Sequence, residues 1–288
     1  MVKFVKTIII LLGAAYLAAI IGVRLAERSL VYQPAARRVD VPPPALALNQ
    51  RAITFQAADS VSLMAWIIPA ANAGPDAPWV LISHGNYGNI GDGGRPQFYA
   101  SFRDLGVNLL AYDYRGFGAS DGVPSEAGVY ADAMGAFRYL TDSLHVPPSR
   151  IILFGHSLGT GVAIELARHV PAAGLILEDA YTSVAERGQE VFPFLPIKLI
   201  AKSRFASIDK VGALGLPKLF LHARNDRTIP IEHGRRLFAA AAEPKQFVEL
   251  DAGHGDAYAA DRATYYGAID TFIRRVAAPP PVVAETPR

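Results

Sequence analysis

The stretch Ile151-Ile152-Leu153-Phe154-Gly155-His156-Ser157-Leu158-Gly159 decides the fold of this chain. Its short apolar run predicts a buried strand, and the following G-x-S-x-G pattern predicts a sharp turn that exposes the hydroxyl of Ser157. The next residues, up to Ala167, are mostly small or apolar and indicate a buried helix. Strand, turn and helix together predict a nucleophile elbow with Ser157 as the nucleophile. The alternative is a glycine-rich turn of another doubly wound protein, in which Ser157 only caps the helix.

A base and an acid for this serine follow later in the chain. A serine hydroxyl needs a histidine to accept its proton and a carboxylate to orient that histidine. Asp226 follows the strand-like run Lys218–Ala223, and His254 follows the run 246–250. Since both lie at strand ends and in the order serine, acid, histidine, Asp226 is predicted as the acid and His254 as the base. Asp179, at the end of an earlier strand, ranks second as the acid.

His254 stands apart from the other six histidines of the chain. It lies between Gly253 and Gly255, after the last predicted strand, where a loop can bring its ring to the serine. The remaining histidines lie beside turns, inside a strand, or near helix and loop surfaces, namely His84, His156, His222, His145, His169 and His233. His254 is therefore the predicted base.

Backbone donors for the developing oxyanion are predicted at two positions. The residue after the nucleophile, Leu158, supplies one N–H. Asn86 supplies the other, from the loop that follows the predicted strand Trp79–Ser83. A generic glycine-rich turn is the alternative for this loop. The neighbouring side chains predicted to bind substrate are those of Tyr87, His156 and Tyr181.

Several motifs together resemble those of the α/β-hydrolase superfamily. More narrowly, the chain resembles the Bem46-like, membrane-anchored α/β-hydrolase-domain proteins, which are grouped with the serine aminopeptidase S33 hydrolases. The motifs are HGNYGN from His84, DYRGFGASDG from Asp113, GHSLG from Gly155, LILEDAYTS from Leu175, ARNDRTIP from Ala223 and AGHGD from Ala252. The resemblance covers about residues 50–275 and implies the same roles for Ser157, Asp226, His254, Asn86 and Leu158. Because the family is functionally broad, it implies the chemistry better than the substrate.

The order of predicted elements indicates an α/β fold. A β-hairpin at about residues 52–68 is followed by alternating strands and helices, which predicts a mostly parallel central sheet with helices on both faces. The catalytic domain is predicted over residues 50–276, with ligands bound at the carboxyl ends of the strands. An insertion at about 181–216 contains the aromatic, proline-broken run 191–197. We expect a short lid over an apolar acyl pocket, with ordinary helix packing as the alternative.

Residues 1–30 are predicted to be an uncleaved signal anchor that crosses the membrane once. Residues 7–23 carry no charge, and as a helix they span about 26 Å, which Lys6 and Arg24 can extend by snorkelling. A cleaved signal peptide and a buried helix of a soluble protein are the alternatives. Basic residues flank both ends, so charge gives no firm orientation. Family habit and signal-anchor logic place the catalytic domain on the exported side.

The remaining segments and the composition limit the function classes. Residues 31–49 are predicted as a proline-containing linker and residues 277–288 as a disordered, proline-rich tail. The net charge is +2, and since the first forty residues carry +4, the remainder carries −2. This charge excludes a nucleic-acid-binding domain. The chain has no cysteine, which excludes disulfides and thiolate metal sites.

These observations predict a serine hydrolase that cleaves carboxylic esters or thioesters, with acyl or lipid-like small molecules as substrates. The chemistry requires no metal and no organic cofactor, and the oligomeric state is left open. A serine aminopeptidase is one alternative, with Glu178, Asp179 and Asp256 as candidates to bind the substrate amine. An acyltransferase with the same triad and a non-catalytic membrane scaffold are the others.

Overall fold

The computed structural model describes residues 1–35, 42–71, 74 and 76–277. Its centre is an eight-stranded sheet, and two short strands pair beside it. Numbered along the chain, the strands are β1 Gln33–Pro34, β2 Arg51–Gln56, β3 Ser62–Ile68, β4 Trp79–Ser83, β5 Tyr87–Gly88, β6 Asn108–Tyr112, β7 Ile151–His156, β8 Gly174–Glu178, β9 Lys218–Ala223 and β10 Lys245–Leu250. The helices are α1 Val2–Val31, α2 Arg95–Arg103, α3 Glu126–Arg138, α4 Leu158–Ala167, α5 Val184–Val191, α6 Ile197–Ile200, α7 Ile231–Ala240, α8 Ala257–Ala260 and α9 Arg262–Ala277.

The strands of the large sheet lie in the order β2-β3-β6-β4-β7-β8-β9-β10. The first two pairings, β2 with β3 and β3 with β6, are antiparallel, and all the others are parallel. This arrangement confirms the predicted mostly parallel sheet. Because parallel strands end at the same edge, the loops after β4, β7, β8, β9 and β10 gather at one edge of the sheet.

Two apolar clusters cover the two faces of the sheet. Successive residues of β7 alternate between them, since Leu153 belongs to one cluster and Ile152 and Phe154 belong to the other. Helices α3, α4 and α7 cover the first face, and α2 and α9 cover the second. The predicted helices on both faces are therefore present.

Helix α3 ends at Arg138 and continues as a π-helical turn, Tyr139–Ser143. The insertion at 181–216 contains α5, α6 and two short 3-10 turns, Ser207–Asp209 and Val211–Ala213.

Helix α1 has the length and composition of a membrane-spanning helix. An 18-residue stretch of this 30-residue helix has a mean hydropathy of 2.4, and none of that stretch is buried. A buried helix of a soluble protein does not match this exposure, because its apolar face would pack against the domain.

The predicted linker at 31–49 is in contact with the domain at its start. Tyr32 is 3 % exposed, and β1 pairs in parallel with β5. Residues 36–41 of this segment lie outside the described residues, as do residues 278–288 of the predicted tail. Ala277, where the tail was predicted to begin, is instead the last residue of α9.

Candidate active site

Ser157 lies on the sharp turn between β7 and α4 that the sequence predicts. Its backbone has φ 50° and ψ −119°, a conformation that residues other than glycine rarely adopt. Gly155 and Gly159 make this turn possible, because a Cβ atom on Gly155 would collide with the Gly159 carbonyl, and one on Gly159 would collide with the Ser83 carbonyl. Close packing of the turn on itself therefore explains Gly155, and close packing of the turn against the end of β4 explains Gly159.

The structure brings His254 and Asp226 to this serine. The Nε2 atom of His254 lies 3.1 Å from the Oγ atom of Ser157, and its Nδ1 atom lies 2.6 Å from the Oδ2 atom of Asp226. Both distances are within hydrogen-bonding range. Oδ1 of Asp226 accepts the backbone N–H groups of Thr228 and Ile229, each over 2.7 Å, which fixes the carboxylate. The arrangement has the geometry of a serine, histidine and aspartate triad.

Asp179, the second-ranked acid, lies farther from the imidazole. Its Oδ2 atom is 3.6 Å from Nδ1 of His254, and it accepts the backbone N–H of Gly255 over 2.9 Å. Its Oδ1 atom accepts the N–H of Ala223, also over 2.9 Å. Asp179 therefore holds the two loops that carry Asp226 and His254, and Asp226 is the closer partner of the ring.

The electrostatic surroundings favour a protonated His254. Burial lowers the pKa of this imidazole, but the hydrogen bond and charge of Asp226, with smaller contributions from Asp179 and Asp256, raise it above its ordinary value. The neighbouring ring of His156 has its centroid 5.3 Å away. Burial and the charge of His254 lower the pKa of His156 well below its ordinary value. The pKa values of the two rings therefore shift in opposite directions, which makes His254 the more basic of the pair.

The two predicted oxyanion donors lie on either side of Ser157. A Cβ atom built on Gly85 would be 3.6 Å from the Cβ atom of Ser157, so the loop that carries Asn86 runs in contact with the nucleophile. The backbone hydrogen bonds of the described loops and turns include none donated by Asn86 or Leu158. Leu158 is the first residue of α4, where a backbone N–H has no partner within the helix.

A cavity of about 320 Å³ opens beside Ser157, and we call it the nucleophile cavity. Asn86, Leu158 and Tyr181 line it near the nucleophile. Its apolar walls come from the insertion and from the end of α1, with side chains that include Val184, Phe192, Ile197, Val23, Leu30 and Val31. Most of its surface is apolar, which suits an aliphatic chain.

A second cavity, of about 230 Å³, lies beside the loop that carries His254, and we call it the histidine cavity. Tyr87, His156 and Gly255 line it. Among the described residues, the Nε2 atom of His156 and the hydroxyl of Tyr99 in this cavity have no hydrogen-bond partner. Unpaired buried polar atoms are costly, so these two atoms are unusual features of the residues that line this cavity.

The three predicted substrate-binding residues have different surroundings. Tyr87 is 64 % exposed and lies at the rim of the histidine cavity, where His156 also lies. Tyr181 is 2 % exposed and donates its hydroxyl hydrogen to the Leu158 carbonyl over 3.1 Å. Tyr181 thus supports the first residue of α4 as well as lining the nucleophile cavity.

Two groups of side chains have the spacing of metal ligands, with donor atoms within 4.8 Å of one another. They are His156, Glu178 and Asp179, and Asp179, His222 and Asp226. Their aspartates already accept the N–H hydrogen bonds described above, and Tyr265 donates its hydroxyl hydrogen to Glu178 over 3.1 Å. This hydrogen bonding accounts for the buried carboxylates.

The sequence reasoning missed one part of the site, the end of α1. The side chain of Asn86 donates to the Val31 carbonyl over 3.1 Å, and the N–H of Gln33 donates to the Asn86 carbonyl over 2.8 Å. These contacts join residues more than fifty positions apart. No local pattern in the sequence marks them.

Comparison with known proteins relates this chain to hydrolases. The family model described as serine aminopeptidase, S33, matches residues 75–207, a range that includes Asn86 and Ser157. The chain is 34 % identical to the uncharacterized protein Rv2307c of Mycobacterium tuberculosis, over 87 % of this chain and 88 % of that protein. It is 35 % identical to the lysophosphatidylserine lipase ABHD12 of Danio rerio, over 58 % of this chain and 48 % of the lipase.

Solved structures share the fold. The Pyrococcus furiosus esterase Pf2001 superimposes with a TM-score of 0.70 at 19 % identity, covering 85 % of this chain and 98 % of the esterase. The α/β hydrolase GrgF of Penicillium sp. sh18 superimposes with a TM-score of 0.66 at 21 % identity, covering 80 % of this chain and all of that protein. At these identities the likeness concerns the fold.

Proposed function

This chain belongs to the α/β-hydrolase superfamily and is a hydrolase, and we propose that it is a membrane-anchored serine hydrolase of acyl esters or thioesters. The observation that carries the proposal is the continuous hydrogen-bonded chain from Ser157 through His254 to Asp226, which opens on an apolar cavity. ABHD12, a lysophosphatidylserine lipase, is among its relatives and supports a lipid-like substrate.

The first half-reaction forms an acyl-enzyme. Nε2 of His254 accepts the hydroxyl proton of Ser157 while Oγ attacks the carbonyl carbon. The N–H groups of Asn86 and Leu158 hold the negative charge on the carbonyl oxygen, and each such donor contributes about 3 kcal/mol to transition-state stabilisation. When the tetrahedral intermediate collapses, the bond to the leaving oxygen or sulfur breaks, and His254 returns the proton to that atom.

The second half-reaction releases the acid. Water gives a proton to His254 and attacks the acyl carbon, and collapse of the new intermediate restores the Ser157 hydroxyl with the proton from His254. Asp226 keeps the imidazole oriented throughout and stabilises its positive charge. In this mechanism His254 takes part in every proton transfer, and the backbone N–H groups of Asn86 and Leu158 only donate hydrogen bonds.

We assign the two cavities to the two parts of the ester. The acyl chain fits the nucleophile cavity, because its walls are apolar. The alcohol part is assigned to the histidine cavity, because the leaving oxygen must receive its proton from His254 and because this cavity is lined by Gly255, the residue after His254, and by His156, the residue before Ser157. This assignment gives Tyr87 and His156 their role in substrate binding.

The structure offers little support for the aminopeptidase alternative. The acids that would bind a substrate amine are engaged, since Asp179 accepts two backbone N–H groups and Asp256 accepts the N–H of Gly253 over 2.8 Å. Burial, with the nearby charge of Asp179, raises the pKa of Glu178 well above its ordinary value. A carboxyl group whose charged form is disfavoured in this way is a poor partner for an ammonium group.

The test is labelling of the full-length protein with a fluorophosphonate, followed by intact mass. We expect one label per chain for the wild type, none for Ser157→Ala, and one for Ser143→Ala, which changes an exposed serine that lines neither cavity. Hydrolysis of p-nitrophenyl esters is expected to fall on the order of a million-fold in Ser157→Ala. Equal labelling of wild type and Ser157→Ala would contradict the proposal.

A further inference from the structure

The end of α1 is built into the catalytic centre. Its side chains Val23, Glu27, Leu30 and Val31 follow a spacing of three or four residues, so they share one face of the helix, and that face lines the nucleophile cavity with Ser157. The helix that precedes them is apolar and unburied. Helix α1 therefore has an apolar, exposed surface in its N-terminal part, and its C-terminal part forms a wall of the nucleophile cavity.

Glu27 ties α1 to the insertion. Its Oε1 atom accepts the backbone N–H groups of Lys202 and Ser203 over 2.8 and 2.7 Å, and its Oε2 atom accepts a hydrogen bond from Arg24 over 2.6 Å. One carboxylate thus satisfies two backbone donors of the insertion. Charge-assisted hydrogen bonds of this kind are stronger than neutral ones.

A second contact lies closer to the apolar end of α1. The hydroxyl of Tyr16 donates to the carbonyl of Phe194 over 3.0 Å. Tyr16 and Glu27 are about 16 Å apart along a helix, so α1 contacts the insertion at two separate positions along its length. Phe194 and Leu199 on the insertion are each 87 % exposed, which is unusual for large apolar side chains and matches a lipid environment.

The end of α1 also holds the loop of Asn86. The Val31 carbonyl accepts the Asn86 side chain, and the Gln33 N–H donates to the Asn86 carbonyl. The N–H of Ala35 donates to the Gly88 carbonyl over 3.3 Å, which completes the pairing of β1 with β5. Backbone donors that stabilise an oxyanion act through fixed positions.

We propose that the C-terminal end of α1 forms part of the substrate-binding site. The acyl chain of a lipid enters the nucleophile cavity directly from the bilayer, along this helix. The proposal rests on the proposed ester hydrolysis at Ser157. Glu27 is a positioning residue for the insertion, and Val31 and Gln33 are positioning residues for Asn86. Leu30 and Val23 contact the acyl chain and set its length.

The test compares two esters with the full-length protein in phosphatidylcholine nanodiscs. p-Nitrophenyl butyrate reaches Ser157 from water, whereas p-nitrophenyl palmitate partitions into the bilayer. Leu30→Trp narrows the cavity, and we expect the palmitate to butyrate ratio of kcat/KM to fall about tenfold, as for the loss of roughly two buried methylene groups. Leu25→Trp is the matched control, because Leu25 is 81 % exposed and lies outside the cavity. It is expected to keep the wild-type ratio.

Three further variants keep the test valid if Leu30→Trp does not fold. Val23→Trp narrows the same cavity from about two helical turns earlier and is expected to lower the same ratio. Glu27→Ala frees the insertion and is expected to lower palmitate hydrolysis more than butyrate hydrolysis, while Glu27→Gln restores it in part, because the amide oxygen still accepts the two N–H groups.

The two proposals fail in different ways. If the wild type takes no fluorophosphonate label and hydrolyses neither ester, ester hydrolysis at Ser157 is wrong. If Leu30→Trp and Val23→Trp take the label and keep the wild-type ratio, the role of α1 in the cavity is wrong while the hydrolase stands.

Discussion

The backbone N–H of Gln33 donates a 2.8 Å hydrogen bond to the carbonyl oxygen of Asn86. Gln33 comes two residues after the end of α1, and Asn86 belongs to the loop that runs against Ser157. The segment that follows α1 and the nucleophile Ser157 therefore both contact the loop that carries Asn86. A signal peptidase cut within α1 would remove one wall of the nucleophile cavity and weaken the support of this loop.

We accordingly expect the mature protein to retain α1. Intact mass of the protein extracted from membranes should correspond to a chain that still contains all of α1, and carbonate washing should leave it in the membrane. A fully active protein whose chain begins beyond Val31 would contradict an uncleaved anchor.

Replacement of each acid near His254 distinguishes their roles. Asp226→Asn removes the charge 2.6 Å from Nδ1, and we expect kcat to fall about 10⁴-fold, as for the orienting aspartate of other serine triads. Asp179→Asn keeps an oxygen acceptor for one of the two backbone N–H groups, and its loss should be at least about tenfold smaller. The measurement is kcat on p-nitrophenyl butyrate with circular dichroism as a check on folding. A larger loss in Asp179→Asn would assign the orienting role to Asp179.

The raised pKa of His254 sets the acid limb of the pH profile. His254 accepts a proton only when it is neutral, so kcat/KM should rise with pH through its pKa. Because Asp226 and the nearby carboxylates outweigh burial, we expect the midpoint of this limb above the ordinary value of 6.5. In Asp226→Asn the midpoint should move to lower pH. The same midpoint in both proteins would mean that another group controls the limb.

The same pKa also links protonation to stability. A pKa raised in the folded state means that folding favours the protonated His254, so its contribution is fully present below the unfolded pKa and is lost as pH rises through the folded pKa. Urea unfolding at pH 5 and pH 8 should therefore show a larger stability loss in His254→Gln at pH 5. Equal losses at both pH values would contradict this linkage.

The parts of the molecule predicted from the sequence have local or periodic causes. The glycines around Ser157 follow from the crowding of one turn, and the sheet follows from alternating strands and helices. Asp226 and His254 were found because chain order and strand ends restrict the candidates. Asp179 lies at a strand end as well, and only the distances to the imidazole separate the two acids.

The contacts of α1 with the site do not follow from a local or periodic pattern in the sequence. Val31 and Asn86 are 55 residues apart, and their hydrogen bond depends on where a whole helix lies against the domain. Residues 31–35 have the composition of a linker, yet Tyr32 is buried and its ring centroid lies 6.3 Å from that of Phe205. Tertiary packing of this kind overrides local composition, because it depends on surfaces made by distant segments.

The crowding at the nucleophile turn gives a last prediction, the effect of adding a single methyl group at Gly159. An alanine in a helix is ordinarily favoured over glycine by about 1 kcal/mol. At Gly159 the added Cβ atom would collide with the backbone carbonyl of Ser83, which belongs to the central sheet and cannot move freely. Overpacking typically costs about 1–3 kcal/mol, and a clash with backbone lies at the upper end.

We therefore expect Gly159→Ala to lower the free energy of unfolding by about 2 kcal/mol and to displace Ser157 from His254. Urea unfolding and the rate of fluorophosphonate labelling measure these two effects. Gly215→Ala is the matched control, because the structure describes no atom within 4 Å of the added Cβ atom there, and it should leave both quantities unchanged. If Gly159→Ala is as stable as the wild type and labels at the same rate, then packing of the turn against β4 does not place the nucleophile.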